Sequence, residues 1–145
     1  MSFEPRGRIF QDDHFTLSEF TGSRLTGLVV WQDPDDGDAI IVFIKVDRRP
    51  WQRFFLDAGI GFWEDWGELE PGVVESGDEI PDDLEIVDKL QEFGVADAVI
   101  RRIFCEPYGN NAQIVIELDD GARVTLQPTD PEIFDSPSEL VMRTP

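Results

Sequence analysis

The sequence has one cysteine, Cys105, and one histidine, His14. A lone cysteine rules out an internal disulfide, and a single buried thiol suits a reducing compartment. One residue of each type also leaves no His/Cys cluster of the kind that holds zinc. No GKS or GKT tripeptide follows a glycine-rich turn. Gly59-Ile60-Gly61 begins a dinucleotide-type fingerprint, but Glu64 stands where its third glycine belongs. A Ser-His-Asp relay would have to use His14, and no GxSxG nucleophile turn exists. No apolar run approaches the roughly 20 residues needed to cross a bilayer as a helix. The segment MSFEPRGRIFQDD contains no apolar stretch of signal-peptide length, so a cytoplasmic location is expected.

Basic residues are scarce as well. Twelve Lys and Arg face 31 Asp and Glu, a net charge of −19. A field of that sign repels nucleic acid and anionic membranes and attracts basic surfaces. The expected partner is therefore a basic protein, with no nucleic acid, no membrane and no cofactor. Close carboxylate pairs arise by chance at this acid content, so they are weak grounds for a carboxylate-based hydrolase. The turn Asp33-Pro34-Asp35-Asp36-Gly37-Asp38 resembles the start of a calcium loop. Counting from Asp33, however, Asp38 falls where the loop glycine belongs and Ile44 where the bidentate Glu belongs. No resident metal is expected, and the turn reads as a solvated hairpin tip.

At 145 residues the chain suits one domain, 1–145, with enough apolar residues for a core. Residues 25–31, 39–46 and 51–57 are β-branched and aromatic runs separated by turn formers, as are 98–104, 112–118 and 122–128. The unbroken apolar run at 39–44 predicts a central strand covered on both faces. A three-residue loop at Asp119–Gly121 pairs Ile116 with Val124 and Ile114 with Leu126 on one apolar face, and Glu117 with Arg123 on the other. Leu84, Val87, Leu90 and Phe93 fall at helical spacing after Asp82 and Asp83, and Gly94 follows as a left-handed stop. The expected fold is α+β: two three-stranded antiparallel meanders, a possible internal duplication, with one main helix near 83–93. Residues 63–81 read as a long loop, and 139–143 as an added edge strand. An edge strand would let copies pair, so monomer and homodimer both remain open.

The stretch WQRFFLDAGIGFWEDW, residues 51–66, has six Trp or Phe among its sixteen positions. Phe54 and Leu56 share one strand face, and Trp51 and Phe55 the other. Trp63 and Trp66 lie beside Glu64, Asp65 and Glu68. Residues 63–92 hold twelve acids and one base, and so carry −11 of the total. Indole rings flanked by carboxylates suit recognition of a basic surface. The candidate partner-binding set is Trp63, Glu64, Asp65, Trp66, Glu68, Glu70, Asp78, Glu79, Asp82 and Asp83. A bland alternative has both indoles folding back over the sheet edge. A third reading makes an apolar cup of Trp51, Phe55 and Trp63 for a small molecule.

In charge, in its lack of catalytic motifs and in this acidic aromatic stretch, the chain resembles the small immunity proteins of bacterial polymorphic and contact-dependent toxin systems. The resemblance implies a non-enzymatic toxin inhibitor. Against a basic nuclease, its carboxylates would stand where substrate phosphates sit.

Overall fold

A computed structural model describes residues 9–67 and 84–145. The strands are β1 (Ile9–Asp12), β2 (Phe15–Thr16), β3 (Leu25–Gln32), β4 (Ala39–Val46), β5 (Trp51–Asp57), β6 (Ile60–Gly67), β7 (Glu85–Asp88), β8 (Ile100–Tyr108), β9 (Asn111–Leu118), β10 (Arg123–Pro128) and β11 (Ser138–Arg143). All pair antiparallel, in the order β1-β6-β5-β4-β11-β10-β9-β8-β2, with β3 on β4 and β7 on β3. The sheet nearly closes on itself. At one seam Ser138 of β11 meets Ala39 of β4. At the other the N-terminal segment spans the gap, β1 pairing with β6 and β2 with β8. Arg24 and Val99 add a bridge between the two halves.

Both expected meanders form, as β3-β4-β5 and β8-β9-β10. The Asp119–Gly121 register is the expected one: Ile116 pairs with Val124, Ile114 with Leu126 and Glu117 with Arg123. Gly121 has φ 95°. Strand β4 is covered on both faces, with Ile44 in the interior core and Phe43 in an outer cluster with Val29 and Trp51.

The α+β expectation is overturned: the fold is almost wholly antiparallel β, and the helix near 83–93 does not form. Within that span Glu85–Asp88 is strand β7, pairing Val87 with Val30 and Ile86 with Trp31. Only Leu90–Phe93 is helical, here called α1. The open edge of β3 offers the β-branched pair Ile86-Val87 a full set of backbone hydrogen bonds. A three-turn helix, by contrast, must meet its nucleation cost alone. Gly94 does end the helical turn, at φ 67°.

The expected loop after Gly59 and Gly61 is also corrected. Ala58 and Gly59 both have positive φ, 51° and 81°, the geometry of a tight two-residue hairpin turn. Strand β6 then runs back along β5 with Trp63 opposite Phe54. Gly61 belongs to the inner face, where a Cβ would lie 2.7 Å from Cys105 Sγ and 3.2 Å from Ile114 Cδ1.

This contact generates a test. Gly61→Ala should destabilise the fold by about 1–3 kcal/mol through overpacking. Cys105→Ala should return part of that loss when the two are combined, as urea unfolding would show.

Candidate functional site

Strand alternation sorts the expected partner-binding residues onto different faces. Trp63 is 1% exposed. Its ring stacks on Phe54 with centroids 4.7 Å apart and lies 5.8 Å from Phe20. Its Nε1–H donates to the buried Gln52 Oε1 at 2.9 Å. Trp63 is thus core, and the expectation of a solvent-reachable indole there is corrected. The inward parity of β6 and the side-chain amide opposite account for this placement. Glu64 faces outward and is ion-paired with Arg53 directly across on β5. Trp66 shares that outer face, half-buried, with Phe43 edge-on at 5.5 Å and the Arg53 guanidinium 4.6 Å over its ring. Asp65 is half-buried. Glu68, Glu70, Asp78, Glu79, Asp82 and Asp83 lie outside the described residues. The apolar cup does not assemble. Trp51 and Phe55 are on the outer face, Phe55 stacked on Phe62 at 4.9 Å, while Trp63 points the other way.

The exposed apolar side chains are elsewhere. Among the described residues the large ones are Ile40 at 44%, Tyr108 at 36%, Ile133 at 57% and Phe134 at 64%. Ile133 and Phe134 share the loop 129–137, which packs on the turns at 58–59 and 109–110, just past Tyr108. The turn at 33–38, before Ile40, lies beside the start of β11, with Asp38 near Glu139. The loop holds three acids (Asp130, Glu132 and Asp135) and the turn four (Asp33, Asp35, Asp36 and Asp38), and neither has a Lys or Arg. Asp33 and Asp36 also cap their own turn, accepting the N–H of Asp35 at 2.8 Å and of Asp38 at 3.1 Å. Burial, together with Asp36, Asp33 and Glu139, raises the Asp38 carboxyl above its ordinary pKa.

The loop carrying Ile133 and Phe134 is held from below. Asn111, 7% exposed, donates through Nδ2 to the Pro131 carbonyl at 3.0 Å and the Ile133 carbonyl at 2.8 Å. Its Oδ1 accepts the Asp135 N–H at 2.8 Å. Asn110 adds its backbone N–H to the Pro131 carbonyl at 2.7 Å and its amide to the Glu132 carbonyl at 2.6 Å. Asp135 Oδ1 accepts the Ala58 N–H at 2.9 Å. Gly109, at φ 63°, lets the chain pass under Pro131, whose carbonyl a side chain there would strike. Phe134 leans over Gly59, where a Cβ would come within 2.8 Å of its ring. The two apolar tips are therefore fixed in place while still facing water.

Other groups with chemical potential are ordinary in their settings. The Cys105 thiol is buried between strands, and burial, aided by Asp13, pushes its pKa up to about 12. His14 is fully exposed and hydrogen-bonded to Asp13 at 2.9 Å, which raises the imidazole pKa above its usual value. Asp12, Asp13 and His14 bring three potential ligand atoms within 4.8 Å, all at the surface. On the far part of the barrel Glu117 is enclosed by guanidinium groups, with Arg102 Nε at 3.1 Å and Arg123 Nη2 at 2.8 Å. Burial works against its charge, but the hydrogen bonds from Arg123 and Arg102 outweigh it and hold the carboxyl below its ordinary pKa.

The acidic pole carries a signal that sequence reading passed over. In TDPEIFDSP, residues 129–137, two large apolar residues sit in a proline-flanked acidic turn that cannot bury them both. No protein-family model, curated protein or solved structure matches the chain.

Two outcomes follow from this geometry. Asn111→Ala should cost about 1–3 kcal/mol by leaving loop groups unpaired, and amide exchange at 130–136 should quicken before global unfolding does. Cys105 should react with a thiol reagent at neutral pH only as fast as the native fold opens, so that mild urea accelerates labelling steeply.

Proposed function

We propose that the protein is a non-enzymatic binding module that holds a basic protein partner at the acidic pole around loop 129–137. The observation that carries this reading is the pair Ile133 and Phe134, kept exposed on a loop that Asn111 fixes and that holds three acids without a base. A preorganised apolar tip avoids much of the ordering cost of association, and the surrounding carboxylates would steer a cationic surface toward it. Phe134 is the anchor and Ile133 its neighbour. Asp130, Glu132, Asp135 and the Asp33–Asp38 turn are the charge partners. The net charge of −19 extends that attraction beyond the contact.

The most concrete form of this reading is an immunity protein that neutralises a bacterial toxin, with a basic nuclease as the natural target. Such an inhibitor would block the cleft by presenting carboxylates in place of phosphates, with no chemistry of its own. The acidic stretch through Glu68, Glu70, Asp78, Glu79, Asp82 and Asp83 adds to the same field by composition.

The test is affinity capture from the native host with the full chain and with an Ile133→Ala/Phe134→Ala variant whose unfolding midpoint matches the parent. The parent should retain a basic protein at low salt and release most of it at high salt. The variant should bind about tenfold or more weakly, as loss of a hot spot requires. Capture that neither salt nor the double substitution weakens would overturn the assignment to this pole.

A further inference from the structure

Strand β11 is fully paired on one edge only. It runs along β10 from Arg123↔Arg143 to Pro128↔Ser138. On its other edge, among the described residues, the one strand pairing is Ser138 with Ala39, and Asp38 lies near Glu139. The direction of its backbone groups follows from one hydrogen bond. The Thr129 N–H donates to the Pro137 carbonyl at 2.8 Å, so residue 137 points toward β10. By antiparallel alternation Glu139, Val141 and Arg143 also point toward β10, and Leu140 and Met142 direct their N–H and C=O groups at the open edge. All three central residues, Leu140 to Met142, are half-buried rather than sealed.

We propose that this edge is a self-association surface, on which a second copy of the chain adds its own β11 antiparallel about a two-fold axis through Val141. The strand reads Glu139-Leu140-Val141-Met142-Arg143, which is complementary to itself when reversed. Centred on Val141, each Glu139 stands opposite Arg143 of the other copy, each Leu140 opposite Met142, and Val141 opposite Val141. The register also satisfies the backbone. Leu140 and Met142, whose groups point outward, become the hydrogen-bonded pairs, and four intermolecular bonds form. Centring on Leu140 would set Glu139 against Val141 and lose both ion pairs. Centring one half-step away would set an outward-pointing residue against an inward-pointing one.

Local charge at the Arg143 end of this edge favours approach of a second acidic chain, whereas Glu139 and Asp38 lie at its other end. The row Arg102, Glu117, Arg123 and Arg143 crosses β8 to β11 on one face and sums to +2. Two chains of charge −19 repel, and they approach at least cost where their acidity is interrupted. The long Arg143 bond to Gln127 Oε1, 3.4 Å, is easily exchanged for a carboxylate across the interface. Because the strands would run in opposite directions, the two acidic poles would point away from each other, giving a bivalent particle with its binding ends free.

Sedimentation of the full chain over a range of concentrations tests the proposal. The parent should show a monomer–dimer equilibrium. Glu139→Arg and Arg143→Glu should each weaken the dimer about tenfold or more by placing like charges opposite each other, and the two together should restore it. Met142→Pro removes an outward N–H and trims a side chain packed on the core, so it should give a monomer that keeps the parent's circular dichroism spectrum at somewhat lower stability. In a Cys105→Ala background, Val141→Cys should cross-link to a covalent dimer under oxidation. Facing residues at a non-hydrogen-bonded position are about 4.5 Å apart, within disulfide reach. A chain that stays monomeric at every concentration, or a dimer equally stable in both single charge variants and their combination, would overturn it.

Discussion

The indole of Trp63 decides which way the β5–β6 hairpin faces. Its ring lies flat on Phe54 and its N–H is satisfied by Gln52, so the inner face of this hairpin supplies both an apolar stack and the one polar atom the ring needs. A slip of one residue would send Trp63 outward and bring Glu64 or Phe62 inward, leaving a buried carboxylate or an unpaired amide. Gly61, two residues earlier, makes the same commitment from the opposite wall: Cys105 and Ile114 press where its side chain would be. Once that register is set, the turn at Ala58-Gly59 falls at the acidic pole. Its backbone N–H is then in place to hold Asp135. Core packing on one side of a strand thus determines where the exposed loop 129–137 can be anchored.

What was legible in the sequence was what strands dictate locally. The Asp119–Gly121 hairpin could be registered because one alignment buries Ile114, Ile116, Val124 and Leu126 together and pairs Glu117 with Arg123. The run at 39–44 declared a doubly covered strand because no alternation was left to spare a face for water. The errors arose where two periods coexist. Leu84, Val87, Leu90 and Phe93 satisfy a helical spacing, but Ile86-Val87 also satisfies a strand, and the empty edge of β3 decided between them. Trp63, Glu64, Asp65 and Trp66 looked like a loop because the acids masked a two-residue period. Glu64 tolerates its strand position because Arg53 stands across from it, a cross-strand partner that no local reading displays.

Bases rather than acids are unevenly distributed over the barrel. The loop 129–137 and the turns at 33–38, 58–59 and 109–110 hold none, whereas Arg24, Lys45, Arg48, Arg49, Arg101, Arg102, Arg123 and Arg143 lie elsewhere, interspersed with acids such as Asp47, Asp97, Asp119 and Asp120. Glu117 lets Arg102 and Arg123 approach each other, and their guanidinium groups keep its carboxyl ionised. Its contribution to stability is therefore present above the ordinary carboxylate pKa and fades as pH falls through the lowered value. This unevenness gives the molecule a direction. A cationic partner would be drawn to the base-free loops, while a second acidic chain would meet least resistance at the arginine-bearing side.

Trp63 and Phe134 differ in whether the core can reach them. An aromatic residue in an acidic neighbourhood is unremarkable if the core can reach it, as it reaches Trp63 and, in part, Trp66. Phe134 has the opposite circumstance. The hydrogen bonds of Asn111 and Asn110 hold its loop at the top of the barrel, over turns whose own side chains are too small to cover it. Burying Phe134 within the same chain would require breaking those bonds, and each polar group released would have to find water. The fold therefore holds apolar area in solvent that a flexible loop would have tucked away, and that area is removed from water only when another surface covers it.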